Sequence, residues 1–268
     1  MKKFLVFVSL ITVLSTLMLI LSAAGCSSTG GKLAKIKDAG KIIVYTDPNF
    51  PPFEFHGADG IAGVDIEIGK AIAAELGVEM EIQESEFDAI LMAVKGGKGD
   101  IAITGMTIRE DRKESVDFSI PYINSVQYLI LPANSEIYIM EDLAGKTVGV
   151  ALGYTGQFLM EDEIGDNGVL AGSGTELKEY PSAMEAVLDM KNGRIDAVVM
   201  DEYVAKNIAS TQGVNAVELR YASGETASEE YGVVVAKGNG DLLEIINKVV
   251  QRLIDEGKIR EWVIQFSE

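Results

Sequence analysis

This chain predicts an α/β fold built on largely parallel sheets, and three observations carry the prediction. Apolar strand patterns alternate with helical ones along nearly the whole length, as expected for sheets crossed by helices. One unit occurs twice: Gly97-Lys-Gly-Asp100 runs into Ile101-Ala-Ile103, and Gly193-Arg-Ile-Asp196 runs into Ala197-Val-Val199. In both, a helix closes on glycine, an aspartate follows three residues later, and an apolar strand ends in a polar turn, which suggests two similar lobes. Polar side chains also gather just after predicted strands, where open α/β sheets bind their ligands.

The elements follow in order. Lys41 to Thr46 is the first strand, and Ile68, Ala71, Ile72 and Leu76 line one face of a helix that Gly77 ends. Glu79 to Gln83 is a short strand, and Phe87, Ile90, Leu91 and Val94 recur at helical spacing. Ile101 to Thr104 is a buried strand, and Gln127 to Leu131 is an extended run closed by Pro132. In the second set, Lys146 to Val150, Glu176 to Tyr180, Arg194 to Met200 and Tyr231 to Ala236 are strands. Thr155 to Ile164 and Ser182 to Lys191 are helices between them. Leu242, Ile245, Ile246, Val249 and Leu253 mark a long C-terminal helix, and Ile259 to Phe266 another.

The start of the chain is of a different kind. Lys2 and Lys3 precede an apolar run from Phe4 to Leu21, and Ala23-Ala-Gly-Cys26 follows. A basic segment, an apolar core and small residues before a cut site describe an export signal, although the run is long enough to suit a spanning helix. Cys26 decides between them. The pattern resembles the lipobox of bacterial lipoproteins, with Ala23 where leucine is commonest; the resemblance implies that Cys26 receives a diacylglyceryl group and becomes the mature N-terminus. Residues 1–25 are then a lipoprotein signal peptide, and residues 26–37 the lipidated cysteine and a flexible tether.

Composition narrows the function. Without Lys2 and Lys3 the formal charge of −18 becomes about −20, which repels nucleic acid and anionic lipid and favours solubility as a monomer. With the single cysteine acylated, disulfides and thiolate chemistry are excluded. The single histidine, His56, reads as a solvated loop residue. No nucleophile–base pair or metal-ligand spacing is visible, and Gly96-Gly-Lys-Gly99 lacks the spacing and the Ser/Thr of a phosphate loop. No cofactor or metal is expected.

The strand ends carry a coherent set of groups. Thr107 with Glu110 fits a capping box that puts Thr107 at a helix N-cap, and a hydroxyl and a guanidinium beside such a terminus would receive a small carboxylate. Asp47 and Phe50 follow the first strand, and Gly105, Thr107 and Arg112 follow the third. Gly153-Tyr-Thr155-Gly156 and Asp201 follow two strands of the second set. Each has an ordinary reading too. Asp47 suits a turn before proline, Phe50 and Phe87 suit a core, Thr155 a helix start, and Asp201 an N-cap. Together they suit a zwitterion, which needs donors for its carboxylate and an acid for its ammonium.

Read in order, Thr46-Asp47-Pro-Asn-Phe50-Pro-Pro-Phe-Glu-Phe55, Gly63-Val-Asp65, Gly105 to Lys113, Val116-Asp-Phe118-Ser, Gly153 to Gly156 and Asp196 to Asp201 resemble the family 3 extracellular solute-binding proteins. Those proteins deliver polar amino acids to ABC importers. The resemblance covers residues 38–268. It implies the two-lobed periplasmic-binding-protein-like fold (type II), each lobe a mostly parallel sheet flanked by helices, joined by two hinge strands. Carried over, Arg112 would pair with the ligand α-carboxylate, helped by Thr107 and Thr155. Asp201 and the Gly105 carbonyl would take the ammonium, Phe50 and Phe87 would sandwich the side chain, and Asp47 would contact its polar end. Arg109 stands where a small or hydroxylic residue is usual, and Tyr154 where threonine is commoner.

Lobe 1 is then expected over residues 38–125 plus 230–268 and lobe 2 over 126–229, with hinges near Ser125–Gln127 and Glu230–Gly232. The expected function is the extracytoplasmic amino-acid-binding component of an ABC importer. Its partners would be a free amino acid (arginine, lysine, ornithine, glutamine or histidine), the permease and its ATPase, and the membrane through the lipid on Cys26. That anchors it on the outer face of the cytoplasmic membrane, or in the periplasm of a Gram-negative cell. The alternatives are a ligand-sensing module feeding a separate signalling partner, or an enzyme on the same scaffold.

Overall fold

The computed structural model describes residues 31–267; the export signal and Cys26 lie outside the described residues. Helix α1 (Lys32–Ala39) closes at Gly40 and buries Ile36, so the expected tether is shorter than residues 26–37: an apolar side chain four residues into the helix docks that stretch on the core. Strand β1 (Lys41–Thr46) follows, its alternate side chains buried. A small antiparallel sheet of β2 (Asn49–Phe50), β3 (Glu54–Gly57) and β4 (Gly60–Ala62) comes next. His56 belongs to β3, a strand and not a loop, with its side chain largely exposed beside Glu84.

Helix α2 (Val64–Leu76), β5 (Glu79–Glu84), α3 (Phe87–Lys95), β6 (Ile101–Ala102), α4 (Glu110–Lys113) and β7 (Val116–Phe118) complete the first run. Then come β8 (Ile123–Leu131), β9 (Thr147–Ala151), α5 (Thr155–Ile164), β10 (Glu176–Tyr180), α6 (Ala183–Lys191), β11 (Ala197–Asp201), α7 (Glu202–Gln212) and β12 (Asn215–Glu218). The chain returns through β13 (Ser228–Tyr231) and β14 (Val234–Ala236) to α8 (Gly240–Asp255) and α9 (Lys258–Ser267). The strand expected from Tyr231 to Ala236 is therefore two strands, broken at Gly232-Val233, because its two halves pair with different sheets.

The two larger sheets have the same plan. One is ordered β5-β1-β6-β14-β7 and the other β10-β9-β11-β8-β12. In each, three neighbouring strands are parallel, the fourth is antiparallel to its neighbours, and the fifth runs with the first three. The repeated aspartates do the same work in both. Asp100 Oδ2 accepts from the Ile43 amide of β1 at 2.7 Å, and Asp196 Oδ2 from the Thr147 amide of β9 at 2.8 Å. Each ties the turn before an inner strand to the start of the strand beside it. Leu242, Ile246, Val249 and Leu253 of α8 are buried, and each such side chain contributes roughly 1.5–3 kcal/mol when removed from water.

The chain passes between the sheets twice. It leaves β7 for β8 and comes back from β13 to β14, and β8 and β13 pair antiparallel with Ser125 opposite Glu229. The strand-end loops of both sheets meet beside this paired crossing.

Candidate ligand-binding site

Thr107 is the junction of the site, though not as a helix cap. Helix α4 starts three residues later, with extended Arg109 at its N-cap and no side-chain cap. The Thr107 hydroxyl instead donates to Glu229 Oε2 at 2.8 Å and accepts from the Thr155 hydroxyl at 2.8 Å. Glu229 Oε2 is buried and needs a donor, so it takes the hydroxyl that a capping box would have used. Arg112, 5% exposed, spans the cleft: its two terminal nitrogens donate to the Thr107 carbonyl and the Gly153 carbonyl, each at 2.9 Å. Burial, with the neighbouring Arg109 charge, lowers its guanidinium to about 10.

Opposite this cation lies a pair of acids. Asp201 accepts from the Tyr231 hydroxyl at 2.6 Å and from Gln127 Nε2 at 2.7 Å; the same Gln127 nitrogen donates to Glu229 at 2.9 Å. Burial raises both carboxyls, Glu229 well above its usual range, and the contact between them raises Glu229 and lowers Asp201. The contact between them therefore favours the proton on Glu229 and the negative charge on Asp201.

A second buried pair lies behind the first sheet's strand ends. Thr104 donates to Glu54 at 2.8 Å, while Asp65 accepts from the Gly105 amide at 2.7 Å and the Tyr122 hydroxyl at 2.8 Å. Burial raises Glu54 well above its ordinary value and Asp65 to about 6. The other oxygens, Glu54 Oε2 and Asp65 Oδ1, lack partners among fixed donors; a proton on Glu54 shared with Asp65 satisfies both.

The aromatic part rests on a close approach. Gly105 has φ +53°, and a Cβ there would lie 2.3 Å from the Phe50 ring, so only glycine lets that ring seat against the loop after β6. Phe87 opens α3, and Tyr154, immediately before α5, stacks on it with centroids 4.1 Å apart. The Tyr154 hydroxyl and the Asn49 amide both donate to Asp47, at 3.2 and 2.6 Å. Burial raises Asp47.

The sequence profile of the bacterial extracellular solute-binding proteins, family 3, matches residues 42–267. The chain belongs to this family. Among relatives of the family 3 protein, the L-cystine-binding protein TcyJ of Escherichia coli (strain K12) is 32% identical, over 86% of this chain and 84% of that one. The arginine-binding extracellular protein ArtP of Bacillus subtilis (strain 168) is 29% identical over 97% of this chain and 96% of its own length. Among solved structures, the amino acid ABC transporter substrate-binding protein AbpA of Streptococcus pneumoniae, bound to L-arginine, superposes with a TM-score of 0.79. It is 32% identical and covers 87% of this chain and 97% of its own. These relatives are binding proteins for amino acids and not enzymes, and the family is extracytoplasmic.

All eight positions singled out by sequence lie at this junction. Asp47, Phe50, Phe87, Gly105, Thr107 and Arg112 of the family 3 protein follow strands of one sheet; Thr155 follows β9 of the other, and Asp201 is the last residue of its β11. Arg109 is not among them; its guanidinium stacks 3.9 Å from the Phe158 ring and bonds Asp111. Sequence reasoning missed Gln127 and Glu229, and left Tyr154 open. The signal for Glu229 was present: Glu229 and Tyr231 are the alternate inward residues of β13, a period-two pattern that puts a glutamate on the buried face.

Proposed function

We propose that this protein holds a free L-amino acid with a basic or amide side chain between its two lobes and delivers it to an ABC importer. Arg112 takes the α-carboxylate together with the Thr107 and Thr155 hydroxyls. Asp201 and the Gly105 carbonyl take the α-ammonium, Phe50 and Phe87 flank the side chain, and Asp47 meets its end. The observation that carries this reading is one continuous hydrogen-bonded chain from cation to anion. Arg112 bonds the Thr107 carbonyl, the Thr107 hydroxyl bonds Glu229, and Gln127 bonds both Glu229 and Asp201. Opposite charges fixed at the two ends of a short polar path match the two ends of an α-amino acid.

The lobes are residues 38–125 plus 230–268, and 126–229. The paired crossing strands β8 and β13 support hinges at Ser125–Gln127 and Glu230–Gly232. A ligand touching both lobes favours the closed arrangement, since only closure completes its contacts. A lipid on Cys26 anchors the protein beside its permease; Cys26→Ser should release it from membranes, and retention would overturn the anchor. A thermal-shift panel of the twenty amino acids plus ornithine and cystine tests the binding reading, because a ligand of the folded state raises Tm with its saturation. Shifts confined to basic and amide amino acids are the expected result; no shift with any of them would sink it.

A further inference from the structure

The ring of Tyr154 stands in the slot assigned above to the ligand side chain. It is stacked on Phe87 with an interplanar angle of 27°, and its centroid also lies 5.7 Å from that of Phe50, whose ring is tilted by 40°. The hydroxyl donates to Asp47 Oδ2 at 3.2 Å, and the residue is 6% exposed. Asp47, Phe50 and Phe87 follow strands of one sheet, and Tyr154 follows β9 of the other. A side chain of the protein thus makes each contact that the ligand's side chain would need: contact with both aromatic rings and a donor at the far end.

We infer that Tyr154 is the specificity gate of the slot: its ring closes it, and a long ligand side chain enters only by displacing that ring. The inference rests on the amino-acid-binding reading. Ring and side chain exclude each other, so the apparent affinity for a long side chain falls by the fraction of molecules whose slot is open. A short side chain uses only the carboxylate and ammonium groups and escapes this penalty. Tyr154 therefore selects against long side chains relative to short ones, a repulsive element added to an attractive site.

The space for a displaced ring is a cavity of about 490 Å³ between the start of α3 and the end of β10, which shares Phe87 with the stack and is lined also by Leu152, Tyr180 and Pro181 and by the acids Glu86, Asp88 and Glu179. Leu152 is 39% exposed and stands two residues before Tyr154. Gly153 between them has φ +79°, a conformation that other residues rarely adopt.

The test is calorimetric titration of L-arginine, L-glutamine and L-serine into purified wild type, Tyr154→Thr and Tyr154→Phe. Removing a buried hydroxyl–carboxylate bond and a stacked ring should tighten whichever long ligand the wild type binds by about tenfold or more. Tyr154→Phe keeps the ring but loses the Asp47 bond, and should tighten it by a smaller factor; it carries the test if the threonine variant does not fold. Weaker long-ligand binding in either variant overturns the gate, since the ring is then a wall the ligand packs on, and so does one shared Kd for all three proteins. Where the thermal-shift panel names another long-chain amino acid, that ligand replaces L-arginine in the titration; if wild type and variants, while folded, bind no amino acid of the panel, the binding reading fails and the gate falls with it.

Discussion

The Thr155 hydroxyl donates to the Thr107 hydroxyl at 2.8 Å, joining the first residue of a helix on one sheet to a strand-end loop on the other. Thr107 passes the bond to Glu229 on the returning crossing strand. One side chain therefore connects both sheets and the crossing between them. Replacing Thr107 with valine keeps its shape and removes both bonds. Binding of the amino acid should weaken roughly tenfold, and stability should fall by about 1–3 kcal/mol because Glu229 loses a buried donor. Thr107→Ser should restore most of both, read by calorimetry and by chemical unfolding.

Gly105→Ala tests how Phe50 is seated. The new Cβ would lie 2.3 Å from the Phe50 ring and at positive φ, so the ring must move. A loss of about 1–3 kcal/mol is expected from crowding, with weaker ligand binding alongside. An unchanged denaturation midpoint and unchanged Kd would mean that the ring is free to shift without cost.

In the proposed binding mode the acid pair at Asp201 sets the pH response. Asp201 must be ionised to hold an ammonium, and its carboxyl is raised from 3.8 by burial. Affinity should therefore fall on acidification and begin falling at a higher pH than for an ordinary aspartate. Because the contact between the two acids favours the proton on Glu229, Glu229→Gln should preserve binding near pH 7, whereas Asp201→Asn should weaken it by about tenfold or more. Equal losses in both variants would place the charge elsewhere.

Asp65 makes the fold itself pH-dependent. Its carboxyl is raised to about 6 from 3.8, so the folded state holds a proton that the unfolded chain has lost in that window. Stability is then greatest below the unfolded value and declines as pH rises from about 4 to about 6, by a cost on the order of 3 kcal/mol. Asp65→Asn keeps an acceptor for the Gly105 amide and should flatten that decline in urea unfolding at several pH values. A slope equal to wild type would contradict it.

Much of this architecture was legible in the sequence, for a physical reason. The periodicities of β1, α2, α5 and α8 are local, and the repeated Gly-x-x-Asp unit needed only its own neighbours to be recognised; Asp100 and Asp196 make matching bonds to β1 and β9. Residues whose role depends on distant partners were not legible. Gln127 bonds Asp201 and Glu229, 74 and 102 positions away, and no pattern near Gln127 announces either. Thr107 was misread as a cap because Glu110 sits at the right spacing, while Glu229, 122 positions on, competes for the same hydroxyl. The eight positions that the family resemblance implies lie together at the strand ends of the two sheets, but it could not foresee that Tyr154, a departure from the pattern, would stack on Phe87.

The proposed function depends most on Arg112 and Asp201 gripping the two charged ends of one molecule. Calorimetric titration of the amino acid that gives the largest thermal shift, into wild type and Arg112→Ala, tests this directly. Loss of a charge-assisted bidentate contact should raise Kd by about tenfold to a hundredfold or more while the variant stays folded; an unchanged Kd in the folded variant would contradict the account.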